Sequence, residues 1–189
     1  QKLMKNIRQI TLEDQAHKLV EVVNQSEEVR DEATIAIEFF MDSARKGKAR
    51  ESEIKSYIDD IAIKASPEAI SVILNLKERD QTYGHCVDVA ALFIDVYYKL
   101  LKKNKKRSTF IQKNEALLGS FLHDFGKAKL PKHIIDSSSQ FSKDSEEVTI
   151  MKSHPKFGAK LLVDEMNMSS SVVNMAFFHH VKYDTNMST

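Results

Sequence analysis

Apolar residues recur at three- and four-residue steps along nearly the whole chain, and alternating β-branched runs are few, so the pattern predicts an all-α protein. Thr11 and Asp14 read as a helix start, continued by Leu12, Ala16, Leu19, Val20 and Val23. A second helical stripe over residues 27–44 runs through Val29, Ala33, Ile37 and Phe40, and a third over 51–63 through Ile54, Ile58 and Ile61. The basic, glycine-containing stretch 45–50 separates them. Ser66 and Pro67 supply an N-cap and a first-turn proline for a short helix through Ile70, Ile73 and Leu74. The polar stretch 77–82 then marks a boundary between an N-terminal helical region, 1–78, with a regulatory or dimerising role, and a second region, 79–189.

In the second region Val87, Ala91, Ile94, Tyr98 and Leu101 form one stripe and Val89, Leu92 and Val96 another, which predicts a central helix buried over much of its circumference. The basic run Lys99, Lys102, Lys103, Lys105, Lys106 and Arg107 reads first as cations favoured at a helix C-terminus and second as a phosphate-binding patch. A helix over about 110–124 is expected to close at Gly126 as its C-cap, before Pro131. Residues 137–139 and 169–171 read as loops. Ser142 reads as the cap of a helix through Val148 and Met151, Pro155 as the opening of one through Leu161 and Leu162, and 172–178 as the last helix.

Composition narrows the partners. Of 189 residues, 42 % are hydrophobic and 29 % charged, which excludes disorder and low complexity. Twenty-eight basic against 27 acidic residues leave a net charge of +1, so no field favours duplex nucleic acid. The single cysteine, Cys86, cannot form an internal disulfide, which fits the cytoplasm. The apolar stretches 35–41 and 89–98 are interrupted by Glu38 and Asp95 and fall short of the ~20 residues of a membrane-spanning helix. A start at Gln1 instead of Met is read as that of a processed or partial chain.

Seven histidines carry the candidate chemistry. His123 adjoins Asp124 at a helix end, and imidazole nitrogen with carboxylate oxygen suits iron, manganese or zinc; the two oxygens of Asp124 allow it to bridge two ions. The competing reading is a pair that only caps a helix. Ala116, Gly119 and Ser120, one and two turns back, leave room for an ion or a close helix. His85 shares a helical line with Val89, Leu92 and Val96 and is expected to point inward, as a satisfied core residue or a ligand. His154 precedes Pro155 at a helix start. His179 and His180 diverge by about 100° on a continuous helix, so they serve one centre only if the helix ends there. His17 and His133 are assigned to the surface, and Met4, Met41, Phe39, Phe40 and Tyr57 to the core.

The ordered set of His85, Leu122-His123-Asp124-Phe125-Gly126-Lys127, Pro131, the run Met-Lys-Ser-His-Pro-Lys-Phe-Gly from Met151 to Gly158, and His179-His180 followed by Asp184 resembles the HD superfamily of metal-dependent phosphohydrolases, and within it the HD-GYP branch of bacterial cyclic di-GMP phosphodiesterases. The intervals are 38 residues from His85 to His123, 31 to His154 and 25 to His179. The resemblance implies an HD-type helical bundle in which His85, His123 and Asp124 hold one ion and Asp124, His154, His179 and His180 a second. The ions are iron first, manganese next, divalent or mixed-valence. It implies hydrolysis of cyclic di-GMP by a hydroxide that the binuclear centre activates, with Asp124 and Lys127 catalytic and Lys127 contacting substrate phosphate; Lys182, beside the paired histidines, is read as a surface lysine or as a second contact to that phosphate. A signalling-protein partner and a homodimer are further expectations. The chain departs from the branch where Met187-Ser188-Thr189 stands in place of Gly-Tyr-Pro, Val181 in place of Glu and Thr185 in place of Gly. Gln81 replaces a glutamate that serves a third ion, and a further Asp ligand is expected beyond Thr189. The alternatives are a degenerate metal- and nucleotide-binding signalling module, or an HD phosphohydrolase of another nucleotide.

Overall fold

The computed structural model describes residues 2–64, 66–73, 83–103, 111–137 and 141–182, and every regular element among them is helical. The expected boundary at 77–82, and Leu74, Gln81, Lys105, Lys106, Arg107 and the residues from 183 onward, lie outside the described residues, as does the Met4 side chain.

The first helix, α1, runs unbroken from Lys2 to Arg45, so the two helices expected there are one. Thr11 and Asp14 lie inside it because no glycine or proline interrupts residues 2–45. Ser26, a residue that often leaves helices, instead donates its hydroxyl to the Val22 carbonyl. Gly47 ends the helix at φ +65°: its N–H reaches the Ala44 carbonyl and that of Lys48 the Ser43 carbonyl, a turn that favours glycine.

Helices α2 (Glu51–Lys64) and α3 (Pro67–Ile73) follow as the pattern predicts, with Ser66 Oγ accepting the Ala69 N–H. Next comes α4 (Tyr83–Lys103), whose Cys86, Val87, Ala90, Ala91 and Ile94 are buried. Its second stripe is not: Leu92 is 53 % exposed and Val96 45 %. The expected central helix therefore lies at the side of the bundle, because α1, α3 and α5 (Lys113–Phe121) all pack on one face of it. His85 follows the exposed stripe and not the core, correcting the inward placement.

Helix α5 is shorter than expected and stops with Leu122 as its C-cap. A turn and a 3-10 segment, Phe125–Lys129, carry the chain on, so Gly126 is not a cap. The short α6 (Lys132–Ile135) holds exposed His133 in a helix instead of a loop. Helix α7 (Glu146–Met151) is capped by Ser145, which accepts the Val148 N–H, and not by Ser142. Helices α8 (His154–Asp164) and α9 (Ser170–Phe178) are the last among the described residues.

One hydrophobic core joins Val29, Ala33, Ile37, Phe40 and Met41 of α1 to α2, α3, α4, α5, the 3-10 segment, α8 and α9. Phe39, expected inside, points outward, as do Leu12, Leu19 and Val20 near the other end of α1. Buried Arg30 of α1 pairs with Asp88 of α4, one turn beyond His85. No helix among the described residues is long and apolar enough to cross a membrane.

Candidate metal centre

The site is assembled at helix ends. His123 lies just past α5, His154 opens α8 just past α7, and His179 is the C-cap of α9. Terminal carbonyls of a helix lack partners within it, and each of these histidines uses one. Nδ1 of His123 lies 2.7 Å from the Ser120 carbonyl, that of His154 2.6 Å from Met151, and that of His179 2.8 Å from Ala176. A carbonyl only accepts, so each Nδ1 donates and the neutral ring presents its Nε2 lone pair to the site. The His123 side chain thus completes a helix end, as the capping alternative requires, while its other nitrogen faces Asp124.

Asp124 is 2 % exposed and stands at the centre of these rings. Its Oδ1 lies 2.9 Å from His154 Nε2 and 3.4 Å from His179 Nε2; its Oδ2 lies 3.5 Å from His123 Nε2, 3.9 Å from His85 Nε2 and 2.6 Å from Lys127 Nζ. The donor atoms fall into two groups that share this carboxylate: Asp124, His154, His179 and His180, and His85, His123 and Asp124. His154 and His179 bring their Nε2 atoms within 3.0 Å of each other. With both Nδ1 atoms donating, neutral rings set two lone pairs against each other and against an anionic oxygen, which a cation among them relieves. Three helix C-termini, each with partial negative charge, converge on the same place. The residues fit metal ions.

Burial pushes the Asp124 carboxyl up, but without metal the Nε2 atoms of His123, His154 and His179, which donate only when the rings carry a second proton, outweigh it and hold the carboxyl far below the usual carboxylate range. Burial lowers His85, with His123 and Lys127 adding to the effect against Asp124. It also lowers His180, together with the neighbouring His179 and His154. A ring whose pKa is lowered stays neutral, and so able to ligate, at pH values where an ordinary imidazole is charged. Release of metal on acidification is therefore expected to have its midpoint below pH 6.5, the ordinary imidazole value. Dialysis of loaded protein across a pH series with elemental analysis checks this, and a midpoint above that value contradicts it.

Two motif glycines bring His154 to Asp124. Gly126 of the 3-10 segment abuts Gly158 of α8 so closely that a methyl group on Gly126 would overlap the His154 carbonyl oxygen and the Gly158 nitrogen. Of the small residues in α5, Gly119 admits the neighbouring helix: it faces Met175 of α9. Lys127 is largely buried and paired with Asp124, unlike a solvated cation at a helix end, whereas Lys182 is exposed.

Residues 82–188 match the HD domain family. The chain belongs to the HD domain family. That membership supports a metal-dependent phosphohydrolase, and His123-Asp124 is a histidine–aspartate pair inside the matched residues. A cyclic di-GMP phosphodiesterase of Pseudomonas aeruginosa is 30 % identical over 156 residues, 80 % of this chain and 36 % of that protein. The chain thus spans about a third of that relative's length. No solved structure matches it. The carbonyls of Ser120, Met151 and Ala176, which aim the rings of this HD domain, were not found from the sequence; each lies three residues before its histidine, but a backbone carbonyl leaves no mark in the residue type.

Proposed function

We propose that this HD domain is a cyclic di-GMP phosphodiesterase of the HD-GYP branch that works with two metal ions, iron first and manganese next. The observation that supports it is the division of one buried carboxylate between two groups of imidazoles. His85, His123 and Asp124 Oδ2 would hold one ion, and Asp124 Oδ1, His154, His179 and His180 the other. Such a pair supplies Lewis acidity and lowers the pKa of water near a phosphodiester.

The chain's own residues orient and neutralise. Backbone carbonyls fix the rings, so little rearrangement is needed as charge develops at phosphorus. The Lys127 ammonium, held against Asp124 Oδ2, is within a short swing of a non-bridging phosphoryl oxygen and offsets its charge. Exposed Lys182 contacts substrate phosphate at the rim. Residues 79–189 form the phosphohydrolase region and 1–78 regulate or dimerise it. The 30 % identical cyclic di-GMP phosphodiesterase supports the substrate.

Purified protein is expected to contain about two ions per chain and, loaded with manganese or ferrous iron, to release linear dinucleotide from cyclic di-GMP. His154→Ala should lose about one of the two ions, because the group around His85 and His123 is left whole. Full metal retention in that variant removes the ligand assignment. Binding of cyclic di-GMP without linear product, with either metal, identifies the non-hydrolytic signalling module instead.

A further inference from the structure

The cavity at the cluster has two unlike walls. The imidazoles of His85, His123, His179 and His180 form one; Val89 and Phe93 of α4 with Met175 and Phe178 of α9 form the other. At about 650 Å³ it is larger than a phosphate group requires and falls within the ~300–1,000 Å³ of small-molecule sites. Phe93 is 38 % exposed and Phe178 52 %, so two aromatic rings remain available to whatever enters. Among the described residues, polar groups on that wall are few. Ser120 donates its hydroxyl to carbonyls of its own helix, Ala116 and Leu117, which leaves the amide of exposed Asn174. A ligand matching both walls is anionic at one end and flat and apolar-faced at the other.

We infer that the wall of Val89, Phe93, Met175 and Phe178 binds the heterocyclic base of a nucleotide through its π face, and that it does so without distinguishing guanine from adenine. The inference rests on the nucleotide-phosphate reading of the site proposed above. Every base has a π face, so stacking on aromatic side chains is tolerant of base identity. Choosing between bases takes hydrogen-bonding groups fixed against the base edges. Among the described residues this wall offers one exposed amide, where a discriminating site would hold several buried groups.

The test is equilibrium binding of GMP, AMP and ribose 5-phosphate to the manganese-loaded chain by calorimetry. The three share a phosphomonoester and differ in the base. Both nucleotides are expected to bind about tenfold or more tighter than ribose 5-phosphate and within about threefold of each other. In Phe93→Ala and Phe178→Ala that advantage should fall by about tenfold, with ribose 5-phosphate affinity and metal content unchanged. Both side chains are partly exposed, so the variants keep the core intact; Phe178→Leu, which retains apolar bulk without a π face, should lose most of the advantage too. Equal affinity for all three ligands, a preference that survives both alanine substitutions, or a GMP-over-AMP ratio of about ten or more overturns the inference. An equal advantage of GMP and AMP over ribose 5-phosphate in protein that fails to cleave cyclic di-GMP sinks the phosphodiesterase proposal and leaves this one standing.

Discussion

Asp124→Ala is expected to empty both halves of the proposed metal centre at once and to reduce the proposed phosphodiester hydrolysis by at least about 10²–10³-fold. The cause is geometric: Oδ1 belongs to the group with His154 and His179, and Oδ2 to the group with His85 and His123. No other carboxylate joins either group among the described residues. The substitution also strips Lys127 of its partner, so a largely buried ammonium is left without its counter-charge. Asp124→Asn separates the two effects: it keeps the volume and one carbonyl oxygen but removes the charge and the second acceptor. Metal-to-chain ratios near zero for Ala, and well below wild type for Asn, are the expected results. Two ions retained in Asp124→Ala would falsify the shared-carboxylate assignment.

Gly126→Ala is the largest structural effect expected from one added methyl group. Its Cβ would overlap the backbone of His154 and Gly158, with Gly158 Cα at 2.9 Å, and backbone on both sides leaves no side chain to swing away. Overpacking of this kind costs about 3 kcal/mol or more, a fall in Tm of ~6–12 °C for a chain of this size. It also pushes the start of α8 outward, carrying His154 from Asp124 and weakening the metal group with His179 and His180. Gly119→Ala is the contrast. There the added methyl would overlap Sδ of Met175, a flexible side chain that can swing away, with Cε next at 3.2 Å, and alanine improves helix propensity. Its net change is expected within about 1 kcal/mol. Thermal melts of the two variants, with metal content alongside, check the pair; equal shifts would show that the approach of Gly126 to Gly158 is not the tight one.

Helical periodicity was enough to read an all-α chain, and the caps at Ser66 and Pro155 were readable because their chemistry is local. Long-range packing was not. The outer stripe of α4 has the same spacing as the inner one, and only the arrangement of α1, α3 and α5 on one face decides which is buried. Likewise Gly126 carries a C-cap signal, yet its position answers to Gly158, 32 residues away, and not to its own helix. At the candidate site, motifs pick out the six side chains that the structure brings together. They say nothing about Nδ1 of His123, His154 or His179, whose backbone partners have no side-chain signature.

The way those three imidazoles are hung has a bearing on how kinship should be sought. Each is suspended from the last turn of a helix by a tether three residues long, so its aim is set within that turn and owes nothing to the length of connector before the next one. On this geometry the connectors between these helices are expected to lengthen or shrink without disturbing the aim of the rings. A search keyed to the 38-, 31- and 25-residue intervals would then discard genuine cousins, whereas one keyed to helix-terminating histidines would retain them.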